Sequence, residues 1–280
     1  MALKTYPSST LYLRENQAYL KQQETLNSLL LGLALGNTPK EKDDSLYLSI
    51  HNGNQILLTG MQTGGRNLIV YGNELEQENF TPPLVGFLRQ ENIKLPGIIG
   101  PKNLALALGN SLANNLGWQY EVVYKQLVYE LTAVKHIPTH TGNMRQAGPE
   151  DVDLVAEWMH LFLIEALNED DREVAHQSAV KKIDGGEVYL WKTETIVSMC
   201  CVARPTQNGI TINYVFTPKE HRKKGYGTKI VAEVSNLMLK EGGYRFCTLF
   251  TDMENPTSND IYQKIGYEPI GEFRVIEFRH

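Results

Sequence analysis

The chain has 280 residues, 42% of them in the hydrophobic set and 21% charged, with a formal net charge of -5. At about 150 residues per domain this length predicts two units, and the apolar content excludes a disordered chain. With 27 Lys and Arg against 32 Asp and Glu, a generally basic nucleic-acid binder is excluded as well, so any cationic site has to be local.

From about Ser9 to Leu35 apolar residues recur near one helical face, and Gly36 and Asn37 followed by Pro39 predict the stop. KEKDD (40–44) reads as a solvated turn. Alternation over 45–50, 54–59 and 67–71 predicts three strands joined by Asn/Gly turns. The glycines of GMQTGGRNL (60–68) run toward a strand and read as a hairpin turn. Helices are predicted near 83–91 and over 102–116, where Leu104, Leu108, Leu112 and Leu116 recur every four residues. A Val- and Tyr-rich strand follows at 118–132.

HIPTHTGN (136–143) has Pro, Gly and no periodicity, and predicts a boundary between domains 1–138 and 139–280. Beyond it the pattern predicts two helices, a meander of strands at 187–191, 195–203 and 210–216, and a helix at 227–240. A strand at 245–251, a short helix at 256–264 and a last strand to Phe278 complete it. That order describes a mixed α/β sheet domain. The first half has a similar rhythm without a residue-level repeat.

The chemistry is concentrated in NYVFTPKEHRKKGYGTKIV (213–231). A strand ends at Thr217 and Pro218, a basic loop follows, and Gly225 and Gly227 open a helix. Residues without side chains at a helix start let a ligand approach the backbone, and the free amides there favour an anion. His221, Arg222, Lys223 and Lys224 add positive charge, so the residues predict a polyphosphate ligand. GxxxxGK[ST] is absent, since Thr228 and Lys229 follow Gly227, and GxGxxG is incomplete.

R-x-x-G-x-G directly after a strand resembles the GNAT acyltransferases, in which it holds the pyrophosphate of acetyl-CoA. TDMENPTSNDIYQKIGYEPI (251–270) resembles the closing motif of that superfamily, with Asn255, Asn259, Tyr262, Gly266 and Tyr267 in its places, and MRQAGPEDVDLVAEW (144–158) its opening strand and helix. The whole chain is similar to two-domain bacterial GNAT proteins. In these the N-terminal α/β domain reads as a degenerate acyltransferase-like half, a likeness carried by 97–108 and 129–138.

The resemblance implies a GNAT fold, α/β with a mixed sheet flanked by helices, and an acetyl-CoA-dependent N-acetyltransferase. The thioester would lie where the strands at 210–217 and 245–251 part. Val215, Phe216 and Thr217 would pair with pantetheine, and Lys223, Lys224, Gly225, Tyr226, Gly227 and Thr228 would cradle the pyrophosphate beside Arg222. Lys223 and Lys224 either reach the 3′-phosphate or are solvated. Asn255 either bonds the cofactor or holds its loop, and Ser258 is its companion in the cofactor site. Tyr262 either donates to the leaving thiolate or packs under the cofactor.

The general base is not identified by the sequence. His160, Glu165, Glu194 and the carboxylate after His280 are candidates, as is deprotonation through water. The acceptor is a small-molecule or peptide amine. The alternatives are a CoA-binding module without turnover and transfer of another acyl group. Cys200, Cys201 and Cys247 are odd in number and lack CxxC spacing, which argues against a disulfide framework. Mid-strand in an apolar run, Cys200 and Cys201 read as buried hydrophobes rather than nucleophiles. No metal, nucleic acid or membrane is expected to take part. The opening residues lack a signal peptide's apolar stretch, and the apolar run from Leu29 to Leu35 is far short of the ~20 residues of a spanning helix. The sequence therefore predicts a cytoplasmic protein, monomer or homodimer.

Overall fold

One series of ten elements occurs twice along the chain in the computed structural model, which describes residues 1–36 and 45–280. The first series is β1 (Ala2–Tyr6), α1 (Ser9–Leu20), α2 (Ser28–Gly36), β2 (Leu46–Asn52), β3 (Gln55–Gln62), β4 (Leu68–Gly72), α3 (Gln77–Gln90), β5 (Gly97–Pro101), α4 (Lys102–Leu116) and β6 (Gln119–Leu131). The second is β7 (Asn143–Gln146), α5 (Val152–Leu167), α6 (Arg172–Asp184), β8 (Val188–Lys192), β9 (Ile196–Ala203), β10 (Gly209–Phe216), α7 (Tyr226–Lys240), β11 (Phe246–Asp252), α8 (Pro256–Ile265) and β12 (Glu268–Arg279). The faint rhythm of the first half is thus a repeat of architecture, carried by apolar periodicity and not by residue identity.

Two compact units result. Unit 1 holds Met1–Val128, Phe250–Asn255 and Pro269–His280, and unit 2 holds Tyr129–Leu249 and Pro256–Glu268. In unit 1, β1 to β4 form an antiparallel meander and β4 pairs parallel with β5. The last strand also packs here: Phe273 to Glu277 of β12 run antiparallel to β5. Leu84 and Leu88 of α3 and Leu104, Leu108 and Leu112 of α4 share a core with Leu48, Leu58 and Val70 of the sheet. A second cluster places Tyr12 of α1 and Leu30 and Leu31 of α2 against Tyr47, Met61 and Ile69.

Three expectations are corrected in this unit. The segment 9–35 is not one helix, because α1 ends at Leu20 and a one-turn 3-10 segment (Lys21–Gln23) precedes α2. Asn27 Nδ2 donates to the Leu20 carbonyl at 2.9 Å, satisfying an acceptor that a continuous helix would have used. Helix α3 begins at Gln77 rather than near 83 and runs through Pro82 and Pro83, since Phe80, Leu84 and Leu88 continue one buried stripe across them. Strands β1 and β5 were not predicted as strands at all. The expected solvated turn at 40–44, like Asn37 and Pro39, lies outside the described residues.

In unit 2, β7 to β10 are successively antiparallel and β10 pairs parallel with β11. Val155, Met159 and Leu163 of α5 and Ala175 and Ala179 of α6 pack on one face of this sheet, with Leu190, Met199, Cys201 and Phe216. Strand residues alternate between faces. Trp191, next to Leu190, accordingly turns the other way and receives the Lys229 ammonium of α7 over its ring at 5.2 Å. Helix α7 buries Ile230, Val231 and Val234. Among the described residues no helix is long and apolar enough to cross a membrane.

Candidate functional site

The β10–β11 pairing is short. Gly209 faces Phe246, Ile210 faces Cys247, and Thr211 faces Thr248, after which the register ends. On its other side β10 is irregular: its pairing with β9 shifts between Asn213 and Phe216, and Tyr214 has φ +47. A bulky residue in that region is strained, and a bulge re-aims the strand. Ser198 of β9, fully buried, pins the exit by donating to the Phe216 carbonyl at 3.1 Å and lying 2.9 Å from Thr217 Oγ1. Strand β10 therefore leaves β11 along a fixed path.

The basic loop then delivers the chain to α7. Lys223 and Gly225 take positive φ, +61 and +81, and Gly225 is the N-cap. The first bond of α7 runs from the Lys229 amide to the Gly225 carbonyl at 3.0 Å, so the amides of 225–228 have no partner within the helix. No side chain caps this end and no acidic residue stands in the first turn. Such a terminus favours an anion.

The two glycines differ. A Cβ on Gly225 would meet His140 Nε2 at 2.6 Å and would sit on a left-handed backbone. A Cβ on Gly227 would meet only Thr217 Oγ1 at 3.4 Å and Ile261 Cδ1 at 3.8 Å, which is ordinary contact. Folding demands glycine at 225 but not at 227.

Among the expected cofactor residues, Phe216 is buried and Val215, Thr217, Tyr226, Gly227 and Thr228 are half-buried, while Lys223, Lys224 and Gly225 are exposed. Arg222 is already engaged: its Nε donates to the Thr217 carbonyl at 2.8 Å, its Nη2 lies 2.6 Å from Glu165 Oε2, and its guanidinium stands 5.7 Å from the Phe216 ring centre. Glu165, met in the sequence only as a candidate base, is brought to the loop instead. The Thr217 carbonyl, expected to meet pantetheine, already accepts from Arg222. Ser258 lies in the first turn of α8. Asn255 belongs to unit 1, where its amide donates to the Asp252 carbonyl at 3.2 Å.

Tyr262 is buried on α8, with the rings of Tyr267 and Tyr129 at 5.9 and 6.1 Å. Burial raises its pKa well above the ordinary phenol value, so it stays protonated and able to donate. Of the other candidate bases, His160 is buried and holds Asp170 at 2.6 Å across the α5–α6 turn, and Glu194 is exposed at the β8–β9 turn. The three cysteines are buried and free. Burial pushes the thiols of Cys201 and Cys247 up to about 12 and that of Cys200 well up, the opposite of an activated nucleophile.

In unit 1 the corresponding corner, between β4 and α3, has no glycine pair. Asn73 caps it through Leu75 N at 3.1 Å, and Glu74, Glu76 and Glu78 surround it. An anion would be repelled there.

Residues 152–267 match the model of the Acetyltransferase (GNAT) family. No curated protein matches the chain. Among solved structures it is similar to a GCN5-related N-acetyltransferase from Sphaerobacter thermophilus (TM-score 0.64, 15% identity, 99% of this chain and 95% of that one). It is also similar to a GNAT-family acetyltransferase from Colwellia psychrerythraea (0.58, 14%, 99% of each). A third is a tandem GNAT protein from the clavulanic acid biosynthesis pathway (0.52, 12%, 99% and 98%). The fold is therefore that of two successive GNAT-like units, the first without the glycine loop. Residues 152–267 therefore carry a GNAT-family domain.

Proposed function

We propose that the chain is an acetyl-CoA-dependent N-acetyltransferase, with residues 139–280 as the acetyltransferase domain and 1–138 as a degenerate partner. The observation that carries this is the uncapped start of α7, with no acidic residue in its first turn, reached through a basic loop from a strand whose pairing with β11 has ended. The Gly225–Thr228 amides hold the pyrophosphate. Lys223 and Lys224 supply charge, and Arg222 adds its own on leaving Glu165. Pantetheine follows Val215 to Thr217, with Ser258 of α8 as a further cofactor contact.

Acetyl-CoA brings the activated thioester. Tyr262, kept neutral by burial, donates its proton toward the leaving sulfur. The acceptor is an amine of a small molecule or peptide. Incubation with acetyl-CoA and a panel of amines, read by thiol release and by the mass of the acetylated product, tests this. Acetylated product is expected; tight acetyl-CoA binding with no product from any amine would contradict catalysis and leave a CoA-binding module.

A further inference from the structure

Three side-chain oxygens of unit 2 are buried without a hydrogen-bond partner where β10 leaves β11: Thr211 Oγ1, Asn213 Oδ1 and Thr248 Oγ1. Thr211 and Thr248 are 1% and 0% exposed and face each other in the last register pair of the two strands. Asn213 stands two residues further on and so shares the face of Thr211. Its partner on β9 is Cys201, which packs with α5 and α6, so all three oxygens lie on that side of the sheet.

A buried oxygen with no partner carries the full loss of its hydration, and valine fits the shape of threonine without that loss. Three such oxygens within two neighbouring strands concentrate that cost at one place in the sheet. Thr211 and Thr248 are the last pair before the β10–β11 register ends, the point at which the thioester is placed above. Asn213 Oδ1 can only accept a hydrogen bond, and the threonine hydroxyls can accept as well as donate. The missing partner is thus a group rich in N–H.

We infer that Thr211, Asn213 and Thr248 form the subsite that receives the N–H groups of a primary amine acceptor, an inference that rests on the acetyl-transfer function proposed above. The oxygens are neutral, and this decides the form of amine they hold. A carboxylate would favour the ammonium ion, which has no lone pair. Neutral acceptors hold the free amine with its lone pair directed outward.

The nitrogen lone pair forms the C–N bond to the thioester carbonyl carbon, and the C–S bond breaks with its electron pair going to sulfur. Sulfur takes a proton from Tyr262. The nitrogen releases one of its protons through water, which restores the phenol. The threonine and asparagine oxygens accept N–H bonds throughout and exchange no proton themselves.

Thr211→Val, Thr248→Val and Asn213→Leu test the inference, with Thr211→Ser as the variant that keeps a hydroxyl. Acetyl-CoA affinity is measured by calorimetry, the thermal midpoint by melting, and turnover with methylamine, benzylamine and a lysine-containing peptide. The expected result is a rise of about tenfold in KM for the amine per oxygen removed, unchanged acetyl-CoA affinity, and a midpoint equal to or above the wild type. Thr211→Ser keeps the wild-type KM. A lowered midpoint with unchanged KM would mean that the oxygens hold a structural water and would overturn the subsite alone. Absence of acetyl-CoA binding in the wild type would overturn the acetyl-transfer function itself, before any amine is added. Binding without acetylation of any of the three amines would overturn the amine subsite and leave the cofactor loop standing.

Discussion

Arg222 Nη2 lies 2.6 Å from Glu165 Oε2, tying the basic loop before α7 to the last turn of α5. Both side chains are more than a third exposed, so the pair adds less than about 1 kcal/mol to stability. Under the proposed function the carboxylate would compete with an incoming phosphate for the same guanidinium. Glu165→Gln is expected to tighten acetyl-CoA severalfold with little change in melting. Arg222→Ala is expected to weaken it about tenfold. Calorimetric titration of both variants checks this, and weaker binding by Glu165→Gln would contradict the competition.

The glycines of the loop should respond in opposite ways. Gly225→Ala forces a left-handed residue, at a cost of about 1–2 kcal/mol, and moves the His140 ring. Gly227→Asp has room for its Cβ and places a carboxylate at a helix N-terminus, which stabilises by about 0.3–1 kcal/mol. It also puts that charge where the proposed function places the pyrophosphate. A folded, slightly more stable Gly227→Asp protein that no longer binds acetyl-CoA is the expected outcome. Wild-type affinity in that variant would remove the pyrophosphate from this helix.

Tyr262→Phe keeps the ring against Tyr129 and Tyr267 and removes only the hydroxyl. Turnover should fall about a hundredfold, with acetyl-CoA affinity within twofold. Because burial raises the phenol's pKa, its proton is retained throughout the neutral and mildly alkaline range. No alkaline decline in kcat below pH ~10 should trace to this residue. Unchanged turnover in the phenylalanine variant would leave the ring a packing role only.

A pH effect on stability is expected at the start of unit 2. Both Arg145 nitrogens reach Asp151, at 2.6 and 2.7 Å, and Asp151 also accepts from the Gly148 amide at 2.8 Å. The Arg145 hydrogen bonds hold the carboxyl below the usual Asp value. Its stabilisation is therefore complete above pH ~4 and is lost as pH falls through the lowered folded-state value. Asp151→Asn should cost about 1–3 kcal/mol at pH 7 and remove that part of the acid dependence. Melting curves from pH 7 to 2 test both.

Much of this was legible in the chain itself. Strands β8 to β10 are short runs rich in apolar and β-branched residues between turn residues, and α7 carries its apolar stripe between paired glycines. Where periodicity was broken the sequence misled. Gly97–Pro101 offers only two branched residues between glycines and a proline, and it is a strand because β4 and β12 flank it. Ala2–Tyr6 is an edge strand whose partner begins more than forty residues later. The loop and Tyr262 were visible as a motif. The Glu165–Arg222 contact was not, because 57 residues separate the pair in sequence. The unpartnered oxygens of Thr211, Asn213 and Thr248 were equally hidden, since a hydroxyl in a strand looks the same whether or not it is satisfied.

The central claim, that the start of α7 binds acetyl-CoA, is tested most directly by the thermal midpoint of the wild type and Gly227→Asp with acetyl-CoA, free CoA or ATP. A ligand at about 100 times its dissociation constant stabilises by roughly 2.7 kcal/mol, which shifts the midpoint by several degrees in a chain of this length. The account predicts that shift in the wild type with acetyl-CoA and CoA, none with ATP, and none in Gly227→Asp. An unmoved wild-type midpoint at millimolar acetyl-CoA, or an equal shift in the variant, would contradict it.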